Sequence, residues 1–286
     1  MAFEQTRQET GMMNRLGGLA CTTLMISLVA ACSSVPPPAT SAAEVPETRP
    51  GSGTLIGYLP RKDLPNSLAL LPPPPAPNSA VAAADEEAYR AVKPLRGSAR
   101  WTLASGDANL KFPQAAQTFS CAMDMPISQE ATPHLNMLLR RTLVDAGLST
   151  YAAKDKYKRT RPFAAYKDSS CTPQDEAQLS KDGSYPSGHA ALGWAWALLL
   201  SELSPERADA LLARGHAYGQ SRVICGVHWQ SDVDAGRLMG SAAVAKLHAD
   251  PVFKAQMAAA RSEVAAARSK GAKSSLDCQA EAAALK

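Results

Sequence analysis

From about residue 85 onward the apolar positions recur at helical spacing, with no run that alternates as a half-buried strand does. Thr132-Pro133 sets a capping residue before a proline suited to the first turn of a helix. Leu135, Leu138, Leu139, Leu143 and Ala146 then fall on one face before Gly147. Ser204-Pro205-Glu206 opens a further helix in the same way. Ala190 to Leu200 is apolar on all sides, which predicts a buried central helix too short to span a bilayer. The stretch from about Val252 to Lys270 is Ala-rich with its charges on one side and predicts an amphipathic surface helix. No repeat and no Gly-rich dinucleotide loop interrupts the pattern. The expected fold class is all-α: a single-domain helical bundle around a buried central helix, spanning residues 55–286, with an extended Pro-rich N-terminal arm.

Residues 36–77 hold more than half of the chain's 21 prolines, a composition that excludes a helix or a central strand. Residues 32–54 read as a Pro/Ala-rich tether, whereas Tyr58 to Leu71 has enough leucine to pack as an extended arm on a domain surface. Ahead of them, Leu16 to Ala31 is a run of small and apolar residues with Arg15 upstream and Val29-Ala30-Ala31-Cys32 at its end. This resembles the signal of bacterial lipoproteins, which implies removal of residues 1–31 and lipid attachment to Cys32. The plainer alternative is an ordinary cleavage site beside an incidental thiol. Met1 to Gly11 carries Glu4 and Glu9, and a start at Met12 or Met13 would leave a purely basic leader.

Loss of the leader removes Cys21, and lipidation uses Cys32, so Cys121, Cys171, Cys225 and Cys278 remain. Four cysteines in an oxidising compartment predict two disulfides with three possible connectivities, of which Cys121–Cys171 with Cys225–Cys278 is the one expected. Zinc is the rival use, but no C-x-x-C pair is present. Charge adds little: 30 basic against 26 acidic residues, a net +4, is too mild a balance to argue for a nucleic-acid polymer as partner.

The chemistry is concentrated in three short pieces. They are Lys154 with Arg161-Pro162, then Pro186-Ser187-Gly188-His189, then Ser221-Arg222 with His228 and Asp232. In order and spacing these resemble the signature of the phosphatidic acid phosphatase type 2 and vanadium haloperoxidase superfamily. Phe119-Ser120-Cys121, Gly183-Ser184-Tyr185, Val223-Ile224-Cys225-Gly226 and Trp229-Gln230-Ser231 extend the likeness to the soluble bacterial class A non-specific acid phosphatases, over roughly Gly57 to Leu247.

The residue types fit that chemistry on their own terms. A phosphomonoester presents two negative charges, and Lys154, Arg161 and Arg222 supply three cations with forked or rotatable donors. Ser187 and Gly188 fall at the start of the central helix, where free backbone N–H groups favour an anion. Asp232 stands four residues after His228, placed to accept from its Nδ1–H and leave Nε2 unprotonated. The resemblance implies that His228 is the nucleophile of a phosphohistidine reaction and that His189 protonates the leaving oxygen. It implies no metal and no cofactor, with small phosphomonoesters such as nucleotides and sugar phosphates as substrates. A homodimer is a family expectation only. An exported, periplasmic protein held to the outer membrane through its lipid is the corresponding localisation.

Plainer readings stand beside these. Lys156, Lys158 and Arg159 read as a solvated surface. His134, His216 and His248 read as ordinary packed or exposed histidines, and Trp194 and Trp196 as core. His228 with Asp232 also has the spacing of a metal pair, though without a clear third ligand. A lipid-phosphate phosphatase, a vanadium-dependent peroxidase and a non-catalytic phosphate-binding lipoprotein are the alternative functions.

Overall fold

The computed structural model describes residues 35–286; the leader and Cys32 lie outside the described residues. The principal helices are α1 (Ala80–Val92), α2 (Ala99–Gly106), α3 (Ser120–Met123), α4 (Pro133–Leu148), α5 (Tyr151–Tyr157), α6 (Pro162–Tyr166), α7 (Gly188–Leu203), α8 (Ala208–Ile224), α9 (Gln230–Leu247), α10 (Pro251–Ser269) and α11 (Cys278–Ala284). Among the described residues there is no strand, only an isolated bridge between Glu47 and Leu55. None of these helices is long and apolar enough to cross a membrane.

The all-round apolar run forms α7, with Ala190, Ala191, Leu192, Ala195, Trp196, Ala197, Leu199 and Leu200 buried. Helices α8, α9 and α4 surround it. Glycines on the two neighbours let their backbones come close. A Cβ on Gly236 or Gly240 of α9 would strike the backbone carbonyls of Ser187 and Ala191, and one on Gly215 of α8 would strike Ala197. That close approach brings the start of α7, the end of α8 and the start of α9 to one place. Helix α10 lays Phe253, Met257, Ala260 and Val264 against the bundle, at the spacing of an amphipathic surface helix.

Three local expectations change. Thr132 precedes α4, but its hydroxyl turns back to the 126–128 segment; Glu263 of α10 caps the helix instead, accepting from His134 N (3.0 Å) and Leu135 N (2.9 Å). Part of the segment read as a tether docks on the body: Ala39 and Val45 bury with Leu55 against Met137, and Gln256 donates to Ala39 O at 3.0 Å. Nor does proline exclude helix altogether from residues 36–77: single turns form at Ala42–Glu44, Arg61–Asp63 and Ser67–Leu70, in the stretches between prolines. The disulfides are Cys121–Cys278 and Cys171–Cys225, not Cys121–Cys171 and Cys225–Cys278. The fold brings each pair together from distant sequence. Cys171 N donates to Cys225 O, with Cα atoms 4.7 Å apart, while Cys121 on α3 meets α11 across a sequence separation of 157.

The arm from Ile56 to Leu64 does more than cover the surface. Tyr58 N and Leu59 N donate to the buried carboxylate of Asp145 on α4 at 2.9 and 3.0 Å, and the segment forms one wall of the main cleft.

Candidate active site

The cleft, about 1330 Å³, has Lys154, Arg161, Gly188, His189, Arg222 and His228 in its lining. The rest of the lining is mixed, with Leu59, Leu110, Leu143, Leu148 and Tyr151 beside Arg61, Arg141 and Lys181. All three motif pieces therefore meet, each at the end of a helix. Lys154 comes from α5 and Arg161 precedes α6. Ser187 caps α7, its hydroxyl accepting from Ala190 N at 3.2 Å, while Arg222 sits in the last turn of α8 and Asp232 in the first turn of α9. A cation at a helix C-terminus and a carboxylate at an N-terminus both agree with the helix dipole.

His228 lies in the tight loop joining α8 to α9. Gly226 turns the chain at φ +71°, a conformation that favours glycine, and Val227 N and His228 N both donate to Arg222 O. The loop is held from outside by Phe163 N on Gly226 O (2.9 Å) and by the Cys171–Cys225 bond. Nucleophile candidate and cation are thus fixed to each other through the backbone.

The histidine's tautomer follows from its neighbours. Arg161 Nη1 is a permanent donor and lies 3.0 Å from His228 Nε2, so Nε2 carries the lone pair and Nδ1 the proton. Nδ1 faces Asp232 Oδ2 at 3.4 Å. Burial, reinforced by Arg161, Lys154 and Arg222, holds the His228 imidazole well below the usual histidine value. His189 donates through Nε2 to Ala108 O at 3.1 Å, which leaves Nδ1 as the ring atom free to exchange a proton. Desolvation first, then Arg222, likewise depresses its pKa.

The cations are buried: Lys154, Arg161 and Arg222 are 4%, 3% and 2% exposed. Arg161 is heavily tied, to Val227 O, Leu179 O and Asp182, and Lys154 donates to Gly183 O at 2.7 Å. Burial pushes the Lys154 ammonium down to about 8, with Arg161 adding to the shift. Arg222 is different, because its Nε and Nη1 are buried without any hydrogen-bond partner. Burial lowers its pKa to about 10. Buried donors of a charged group without acceptors are costly, and a bound oxyanion supplies what they lack.

Two residues with a part in this arrangement escaped the motif reading. Asp182 lies between Lys154 and Arg161, with Oδ2 at 3.5 and 3.1 Å from their nitrogens. Arg159, read as solvated surface, is instead mostly buried and paired with both Asp85 and Asp232. Nothing local in the sequence marks either, since each is defined by partners far along the chain. Trp196 is core, while Trp194 is half-buried and bonds Ser241. His134, His216 and His248 stay outside the cleft lining. Among the described residues no group of three or more His, Cys, Asp or Glu gathers as a metal site.

Residues 134–253 match the PAP2 superfamily. A non-specific acid phosphatase of Providencia stuartii is 48% identical over 209 residues, covering 73% of this chain and 84% of the relative. The chain belongs to the non-specific acid phosphatases of the PAP2 superfamily. The corresponding enzyme of Salmonella typhimurium is 45% identical over 70% of this chain and 80% of its own length. An acid phosphatase of Zymomonas mobilis is 41% identical over 70% and 76%. In a phosphatase cleft, the two unpartnered donors of Arg222 make it a candidate anion ligand. Arg222→Gln is expected to weaken inhibition by inorganic phosphate by roughly 100-fold, the loss of one or two charge-assisted hydrogen bonds. Titrating phosphate against p-nitrophenyl phosphate hydrolysis checks this, with an unchanged inhibition constant as the contrary result.

Proposed function

We propose that this protein hydrolyses phosphomonoesters in two steps through a phosphohistidine at His228, without a metal. The observation that carries the reading is the placement of His228, with Nε2 3.0 Å from Arg161 Nη1 and Nδ1 facing Asp232, on a cleft lined by three buried cations. The phosphoryl oxygens lie among Lys154, Arg161, Arg222 and the free N–H groups at the start of α7, with Ser187 Oγ–H as a further donor. Nε2 attacks phosphorus, the P–O bond to the leaving group breaks, and His189 Nδ1–H delivers its proton to the departing oxygen. Neutral His189 then takes a proton from water, whose oxygen attacks phosphorus; the P–N bond breaks and phosphate leaves. Positioning and charge stabilisation supply most of the acceleration, as in other phosphoryl transfers.

Recognition in this scheme is concentrated on the phosphoryl group, while the leaving group meets a broad and partly apolar cleft. That division suits many phosphomonoesters, nucleotides and sugar phosphates among them. The low pKa of His189 sets the pH dependence. The proton needed by the leaving group enters either on His189 or on the substrate, whose second ionisation is at about 6. Above that pH both are deprotonated, so kcat/KM for an alkyl phosphate is expected to fall about tenfold per pH unit. EDTA is expected to leave the rate unchanged, and His228→Ala to abolish it. Loss of activity to EDTA, or a His228→Ala enzyme that still turns over, contradicts the mechanism.

We further propose that the protein is exported and held to the membrane through a lipid on Cys32. Two disulfides suit an oxidising compartment, and the sequence ending at Cys32 suits a lipid anchor. A Cys32→Ala protein is expected to move from the membrane fraction to the soluble periplasmic fraction with its activity retained. A mature N-terminal peptide that begins at Cys32 without a diacylglyceryl mass, or that begins elsewhere, rules out this anchor.

A further inference from the structure

Arg159 belongs to none of the three motif pieces and is absent from the cleft lining. Its Nη1 donates to Asp232 Oδ1 at 2.7 Å and to Ser231 Oγ at 2.8 Å, and its Nη2 to Asp85 Oδ2 at 2.8 Å. The guanidinium also lies 5.4 Å from the Trp229 ring centroid, next to His228 in sequence. Asp85 comes from α1, far from the motif pieces, and is itself buried. It accepts from Ser231 N at 2.7 Å and from Ser231 Oγ at 2.6 Å, so one carboxylate grips both Arg159 and the first turn of α9 that carries Asp232. The other oxygen of Asp232 accepts from Trp229 N at 2.8 Å and faces His228 Nδ1.

We propose that the Asp85–Arg159 pair is a positioning device for phosphoryl transfer: it keeps Asp232 ionised and aimed at His228 Nδ1, so that the ring presents Nε2 to phosphorus. This rests on the phosphohistidine reading. A fully buried carboxylate tends to hold a proton, and once protonated it no longer fixes the imidazole tautomer. Burial does raise the pKa of Asp232, and Arg159 is the largest influence opposing it. The charged and titratable groups around Asp232 are Arg159 with Asp85 behind it, His228, Lys154, Arg161 and Tyr185. Lys154 and Arg161 line the cleft, so a phosphate dianion there engages their charge. Arg159 sits outside the cleft and remains committed to Asp232 throughout the cycle.

The sign of the pH effect separates this role from simple structural support. Removing the Arg159 charge raises the pKa of Asp232, and activity needs Asp232 ionised, so the acid limb of kcat/KM moves to higher pH. Asp85→Asn removes a negative charge and slackens the anchor, so it lowers kcat without that upward movement.

The test measures kcat, KM, the pH profile and the phosphate inhibition constant for Arg159→Gln and Asp85→Asn, beside His228→Ala. For Arg159→Gln, kcat is expected to drop by about 100-fold and the acid limb to rise by about one pH unit, with phosphate inhibition within about threefold of the parent. For Asp85→Asn, kcat is expected to drop by about tenfold with phosphate inhibition unchanged. An Arg159→Gln enzyme with normal kcat, with an unmoved acid limb, or with phosphate affinity lost in parallel overturns the proposal. Should Arg159→Gln not fold, an Asp85→Asn enzyme with normal kcat overturns it equally. Activity in His228→Ala would instead sink the underlying phosphohistidine reading, a result that the other two variants do not mimic.

Discussion

Arg222 is buried with two of its donors unmatched, inside a region that already buries Lys154, Arg159 and Arg161. Each such charge costs several kcal/mol to remove from water unless partners repay it. Asp85, Asp182 and Asp232 repay part, and each is itself tied to specific donors. What remains is an excess of positive charge with open donors at the floor of a cleft. This favours an oxyanion over a neutral ligand, and with burial it depresses the pKa of both cleft histidines. In the proposed reaction the phosphoryl oxygens would accept from these donors.

The fold is organised to tolerate this. Helix α7 contributes almost nothing polar along its length, and its burial against α4, α8 and α9 supplies the apolar area that offsets a charged site. Small residues at the crossings bring three helix ends within reach of one ligand. The Cys171–Cys225 bond and the Asp145 clamp on the arm lie at the periphery of the cleft, where they hold the His228 loop and the outer wall. Stability therefore comes from the middle of the helices and function from their ends.

The apolar periodicities of α4, α7 and α10 were legible because a buried face is a local property of sequence. The motif pieces were legible because their spacing maps directly onto helix termini. Arg159 was not, since three basic residues in the 156–159 stretch have the composition of a solvated surface and only its partners Asp85 and Asp232, on two other helices, reveal the difference. The disulfide pairing was hidden for the same reason: Cys121 is joined to the end of the chain by the docking of α11, a tertiary fact with no local trace. Proline content identified a largely extended N-terminal segment but not its short helical turns, and the docking of Ala39 and Val45 with Leu55 depends on contacts with Met137 that composition does not describe.

The central claim is that His228 Nε2 becomes covalently bonded to phosphorus. Its most direct test is to mix the full-length enzyme rapidly with excess p-nitrophenyl phosphate, quench in alkali where phosphohistidine survives, and map the modified peptide by mass spectrometry. A single phosphoryl group on the peptide bearing His228, formed within one turnover and absent from His228→Ala, is the expected result. A burst of p-nitrophenol with no phosphopeptide, or a phosphoryl group on another residue, would contradict it.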